Sequence, residues 1–91
     1  TLPGASEHEA GIAVDITAAS YPVLEESQAD TPEQQWLMSH CYEYGFILRY
    51  PKGTEAITGI TYEPWHYRYV GDAAAKIHSL GITLEEYLEQ D

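Results

Sequence analysis

The sequence predicts a small α+β fold, an antiparallel sheet of short strands with flanking helices. Two observations carry this. Three segments rich in β-formers, residues 11–17, 46–50 and 63–70, are separated by stretches with helical spacing or turn residues. Helix start and stop signals bracket residues 31–45 and 72–90. The resulting order, β-α-β-β-α-α with hairpin-length connections, belongs to a segregated α+β arrangement, not to a repeated parallel unit.

Each element has its own justification. Residues 1–9 read as loop, with Pro3-Gly4 as a turn signal. In GIAVDIT (11–17), Ile12, Val14 and Ile16 fall on one face and Ala13, Asp15 and Thr17 on the other. The apolar face is expected in the core. The opposite face carries small residues around one carboxylate, which leaves room for a ligand. Residues 18–30 form a polar connection with one apolar patch, Tyr21-Pro22-Val23-Leu24. Thr31 is a good N-cap, Pro32 suits the first helical position, and Gln34 stands at capping-box spacing. Trp36, Leu37, His40, Cys41 and Tyr44 recur at helical spacing, so a buried stripe is expected. Gly45 ends that helix. FILRY (46–50) is the second strand, and Pro51-Lys52-Gly53 turns the chain. Residues 54–61 read as a polar loop with a short extended piece at 57–60. The aromatic-rich segment 63–70 is the third strand. A short helix over 72–80 stops at Gly81, and Thr83 caps a last helix through Gln90, with Glu86 at capping-box spacing.

Length and charge narrow the function classes. The 91 residues are one small domain, 1–91, with a thin core. Four Lys+Arg against fifteen Asp+Glu give a net charge of −11. Nucleic acid and anionic membrane surfaces both need a basic patch, so neither is an expected partner. A hydrophobic fraction of 44% is too high for a disordered acidic tail. No apolar run reaches the ~18 residues of a membrane span. The opening TLPGASEHE carries neither the basic start nor the apolar stretch of a signal peptide, which leaves the compartment open. The single cysteine, Cys41, excludes an internal disulfide and a multi-cysteine zinc module. Extra stability must then come from a metal, a partner chain or good packing.

Four histidines occur. His40, inside the helical stripe, is expected to be a packed or half-exposed helix residue. His78, near a helix C-terminus, reads as structural. His8 and His66 differ, because each lies near a carboxylate-bearing segment, Asp15 in the first strand and Glu63 at the start of the third, just before His66. Two imidazoles and one carboxylate make a three-ligand zinc set with an open fourth position, and a further carboxylate can act as general base. The competing reading makes Glu63 a solvated loop acid and His66 an ordinary strand residue. Glu63 and His66 are three apart, so an ideal strand would send them to opposite faces. Pro64 between them marks a strand end or bulge, and a bend there lets both point into one cavity.

The segment SEHEAGIAVDI, followed about fifty residues later by YEPWHYRYVG, resembles the zinc D-alanyl-D-alanine carboxypeptidases of the VanY type. It is also similar to the related L,D-carboxypeptidases and VanX-type D,D-dipeptidases. The matching residues are Ser6, His8, Gly11, Ala13 and Asp15 in the first motif, and Glu63, Trp65 and His66 in the second. The tail GDAAAKIHSLGITLEEYL resembles the family's C-terminal helices, so the likeness covers nearly the whole chain.

The resemblance implies a hedgehog/D,D-peptidase-like fold. It implies that His8, Asp15 and His66 bind Zn2+ and that Glu63 is the catalytic base. It further implies that Ser6 helps bind the substrate's terminal carboxylate and that Trp65 lines the cleft. Read from the residues alone, Ser6 is equally a loop cap and Trp65 equally a core aromatic. The implied activity is removal of a C-terminal D-alanine from peptidoglycan stem peptides, at an extracytoplasmic location. A zinc-stabilised cell-wall peptide-binding module without turnover is the alternative, and the retained Glu63 favours the enzyme. The family pattern includes an upstream helical stretch and an Arg in a Ser-Gly-Tyr-Arg-Ser-like segment. The chain is therefore expected to be the C-terminal portion of the full domain, completed by an upstream segment or a second chain.

Overall fold

A computed structural model describes residues 12–89. Three short strands, β1 (Ala13–Asp15), β2 (Phe46–Leu48) and β3 (His66–Tyr69), form one antiparallel sheet in the order β1-β3-β2. Four helices accompany it: α1 (Pro32–His40), α2 (Glu55–Thr58), α3 (Ala73–Leu80) and α4 (Leu84–Glu89). This is the expected α+β arrangement. Single 3-10 turns at Glu26–Asp30 and Cys41–Tyr44 flank α1.

Register decides what each sheet face carries. β3 is central, and its Tyr67 stands opposite Val14 on one side and Leu48 on the other. The alternate face carries Asp15 opposite His66, and Ala13 and Ile47 opposite Arg68. On that second face Ile47 joins Ala74, Ile77 and Leu84 in the main apolar cluster, so α3 and α4 pack there. Both helices are held by the signals expected of them. Gly81 terminates α3 at φ 67°, and its N–H donates back to the carbonyls of His78 and Ile77. At α4, the Glu86 N–H donates to Thr83 Oγ1 at 3.0 Å while the Thr83 N–H donates to Glu86 Oε1 at 2.9 Å, a complete capping box.

Gly45 closes the turn after α1 at φ 84°. A Cβ there would meet the Tyr69 ring at 2.6 Å, so the ring packs where any larger residue would have to sit. Its carbonyl accepts from the Val70 and Gly71 N–H groups, which ties the start of β2 to the end of β3.

Four expectations are corrected. In β1 it is Ala13 that is buried, whereas Val14 is 43% exposed. Alternation separates two faces correctly but does not say which one the chain covers. Val14, Ile16, Leu37, Tyr44, Phe46 and Tyr67 instead line an open apolar cleft of about 210 Å3 with Cys41. The stripe on α1 is not buried throughout: Cys41 is, but Trp36 and Tyr44 are 49% and 64% exposed. Trp36 stacks on His40 at 4.7 Å, so the aromatic groups pack along the helix surface. Thr31 caps α1 by accepting from the Gln34 N–H at 3.2 Å, but the Gln34 side chain does not complete a box. It turns inward and is fully buried. Residues 54–61 contain the helical turn α2, not an extended piece, because Gly59 at φ 79° closes it.

The inward turn of Gln34 builds a closed polar cluster. Gln34 Nε2 donates to the Ile16 carbonyl and to Gln28 Oε1, and its Oε1 accepts from the Tyr67 hydroxyl at 2.7 Å. Gln28 Nε2 donates to the carbonyls of Tyr21 and Val23, and its Oε1 accepts from the Ala18 N–H. Burial, with Cys41 and Tyr62 adding to it, pushes the Tyr67 phenol far up, so it remains a donor. Burial likewise pushes the Cys41 thiol up to about 11, which keeps it protonated and unreactive.

Candidate metal centre

The site starts from a turn. The Glu63 N–H donates to the Tyr50 carbonyl at 3.1 Å, and the His66 N–H donates to the Glu63 carbonyl at 3.2 Å. The second bond closes a four-residue turn with Pro64 at its second position, where a fixed φ is favourable. Pro64 is fully buried, so the bend is clamped by packing as well as by its ring. The Ile16 N–H donates to the Trp65 carbonyl at 2.9 Å and joins this turn to β1.

That geometry resolves the parity problem. Glu63 precedes β3 instead of lying in it, and its side chain comes round to His66, with Oε1 3.3 Å from Nδ1. Asp15 faces His66 across the β1–β3 ladder, with Oδ1 3.9 Å from the same nitrogen. The His66 side chain is 9% exposed, while those of Glu63 and Asp15 are 26% and 38% exposed. One enclosed imidazole thus stands between two carboxylates at the rim of the sheet.

Asp15 and His66 supply two donors of the kind a divalent cation takes. Zinc takes imidazole nitrogen and carboxylate oxygen at ~2.0–2.2 Å, which sets tetrahedral donors about 3.4 Å apart. The spacing of 3.9 Å between Asp15 and His66 Nδ1 lies near that value, and Glu63 stands beside the pair, 3.3 Å from the same nitrogen. Two carboxylates beside one imidazole also favour a cation on charge alone. Among the described residues, no group of three His, Cys, Asp or Glu side chains forms a complete metal set. The remaining expected donor, His8, lies outside the described residues, as does Ser6. Trp65 is half-buried and follows Pro64 in the turn.

The other histidines behave as expected. His40 Nδ1 lies 2.9 Å from Glu43 Oε2, and His78 stacks on Tyr42 at 4.1 Å. Arg68 shares the His66 face two residues along β3. Arg49 forms a two-pronged ion pair with Glu85 of α4, both contacts at 2.8 Å.

One neighbour of the site was not singled out by sequence. Tyr50 is buried, and its ring meets His66 edge-to-face at 4.9 Å and 68°. The available signal was an aromatic residue immediately before the Pro51 turn, which reads simply as a strand end.

The sequence profile of the VanY family, D-alanyl-D-alanine carboxypeptidase, matches residues 1–72. The chain belongs to the VanY family. A D-alanyl-D-alanine carboxypeptidase of Enterococcus faecalis (strain ATCC 700802 / V583) is 46% identical over 91 residues, covering 99% of this chain and 32% of that protein. The solved LdcB LD-carboxypeptidase superposes with a TM-score of 0.93 at 48% identity, over 98% of this chain and 42% of that one. A vancomycin-resistance D,D-pentapeptidase VanY variant, solved in complex with Zn(II), superposes with a TM-score of 0.81 at 47% identity, over 98% and 48%. The α+β arrangement described above is therefore the VanY peptidase fold in part. The chain spans about a third of the enterococcal relative and under half of each solved chain. No described helix is long and apolar enough to cross a membrane.

Proposed function

We propose that this VanY-family chain carries the zinc-binding part of a metallopeptidase that removes a C-terminal D-alanine from peptidoglycan stem peptides. The observation that carries the reading is the convergence of Asp15, Glu63 and His66 on one rim, brought about by the Pro64 turn. Asp15 and His66, together with His8, are the proposed metal ligands. Zinc, when bound there, supplies Lewis acidity that polarises the scissile carbonyl and makes water a better nucleophile.

Glu63 is the proposed general base. It accepts a proton from the attacking water and returns it to the leaving amine, a role generally worth about 10²–10⁴ in rate. Its position off the strand, anchored through its own N–H to Tyr50, suits a group that must stay beside the metal without ligating it. Ser6 is proposed to help hold the substrate carboxylate and Trp65 to line the cleft. A stem-peptide substrate places the complete protein in the cell envelope or outside the cell. The strongly acidic composition repels an anionic C-terminus, so the complete enzyme needs a cation at the carboxylate subsite, which an upstream segment or second chain would supply.

The test is incubation of the full-length protein with an acylated pentapeptide ending in D-Ala-D-Ala. The expected result is release of free D-alanine, abolished by 1,10-phenanthroline and restored by added zinc. Peptide binding without release would instead identify a recognition module.

A further inference from the structure

Residues 49 and 50 grip the candidate centre from behind. The Arg49 N–H donates to the His66 carbonyl at 3.0 Å, and the Tyr50 carbonyl accepts from the Glu63 N–H at 3.1 Å. The Tyr50 ring lies edge-to-face against the His66 imidazole at 4.9 Å. The Arg49 guanidinium sits over the Tyr50 ring, 4.7 Å from its centroid. That guanidinium is held in turn by both oxygens of Glu85 on α4.

We infer that Tyr50 is a positioning residue for the metal centre, clamped by the Arg49–Glu85 pair so that its ring fixes the plane of the His66 imidazole. A ligand histidine must present one nitrogen along a defined direction, and rotation of the ring about its bonds misaims the lone pair. Outer partners that fix ring orientation tune metal affinity accordingly. Here the partner is an aromatic ring instead of a hydrogen-bonding group, and a cation over that ring restrains it. The same dipeptide also anchors the Glu63 turn, so ligand and proposed base share one support. A core aromatic serving stability alone would not need to contact both. The C-terminal helix α4 thereby reaches the site through Glu85, although it contributes no residue to it.

This inference rests on the proposed role of His66 as a metal ligand. The test uses the full-length protein and the variants Tyr50→Phe, Tyr50→Leu and Glu85→Gln. Zinc affinity is measured by chelator competition, and site geometry by the visible absorption of the Co(II)-substituted protein. Tyr50→Phe keeps the ring and is expected to hold zinc more tightly than Tyr50→Leu. Tyr50→Leu is expected to weaken zinc about tenfold and to change the Co(II) band shape. Glu85→Gln, which leaves the packed ring in place, is expected to weaken zinc about threefold, and it carries the test should Tyr50→Leu not fold. Wild-type affinity and an unchanged band in folded Tyr50→Leu, or in Glu85→Gln where only that variant folds, would overturn the inference while leaving the metal centre intact. A wild-type protein that binds neither zinc nor Co(II) would overturn the metal centre and this inference with it.

Discussion

Two polar clusters flank the same strand and behave differently. On one face of β3, Tyr67 closes on Gln34 and Gln28, and these side chains bond to one another and to nearby backbone deep inside the fold. At the start of β3, His66 faces Asp15 and Glu63 at 3.9 and 3.3 Å, with both carboxylates partly open to solvent. The first cluster satisfies its amide groups internally, as a buried polar network must. The second leaves an imidazole and two carboxylates near one another at the edge of the sheet, which is the arrangement behind the proposed metal centre. The first cluster is complete in itself, and the second leaves its carboxylates accessible to a ligand.

Variants can separate these roles. The largest expected effect is on turnover. Glu63→Gln should lower kcat/KM on a D-Ala-D-Ala peptide by about 10³-fold, with zinc content and melting temperature unchanged. Normal turnover with zinc bound would show that Glu63 is not the base. Next comes Gln34→Leu, which removes a buried partner from the Tyr67 hydroxyl and from the Ile16 carbonyl. It should cost on the order of 3 kcal/mol in urea unfolding, with the folded fraction still binding one zinc. Lost zinc without lost stability would reverse the assignment of the two clusters. Tyr67→Phe should cost the least, about 1 kcal/mol near neutral pH. Because the folded phenol titrates above its unfolded value, the wild type's advantage holds below about pH 10 and shrinks as pH rises further. A fluorescence-monitored unfolding series at pH 7 to 11 checks this, and an undiminished difference at pH 11 would contradict it.

Much of this was legible in the sequence, for local reasons. Thr31, Gly45, Gly81 and the Thr83/Glu86 pair mark helix ends through their own backbone chemistry, and each sits where it was expected. The Pro64 bend was legible because proline cannot sit comfortably between two residues of a continuous ladder. What stayed hidden depends on distant packing. Nothing local to Gln28 or Gln34 announces burial, since glutamine is usually exposed and their partners lie elsewhere in the chain. The burial of Ala13 in place of Val14 depends on which sheet face the rest of the chain covers. Tyr50 was hidden for the same reason, because its value comes from what it touches.

The open cluster is proposed to be a metal centre built on β1 and β3. Elemental analysis of the purified full-length protein tests it most directly, comparing wild type with Asp15→Ala. One zinc per chain is expected in the wild type, with most of it lost in the folded variant. A zinc-free wild type that still releases D-alanine, or an Asp15→Ala protein that keeps its full zinc, would contradict it.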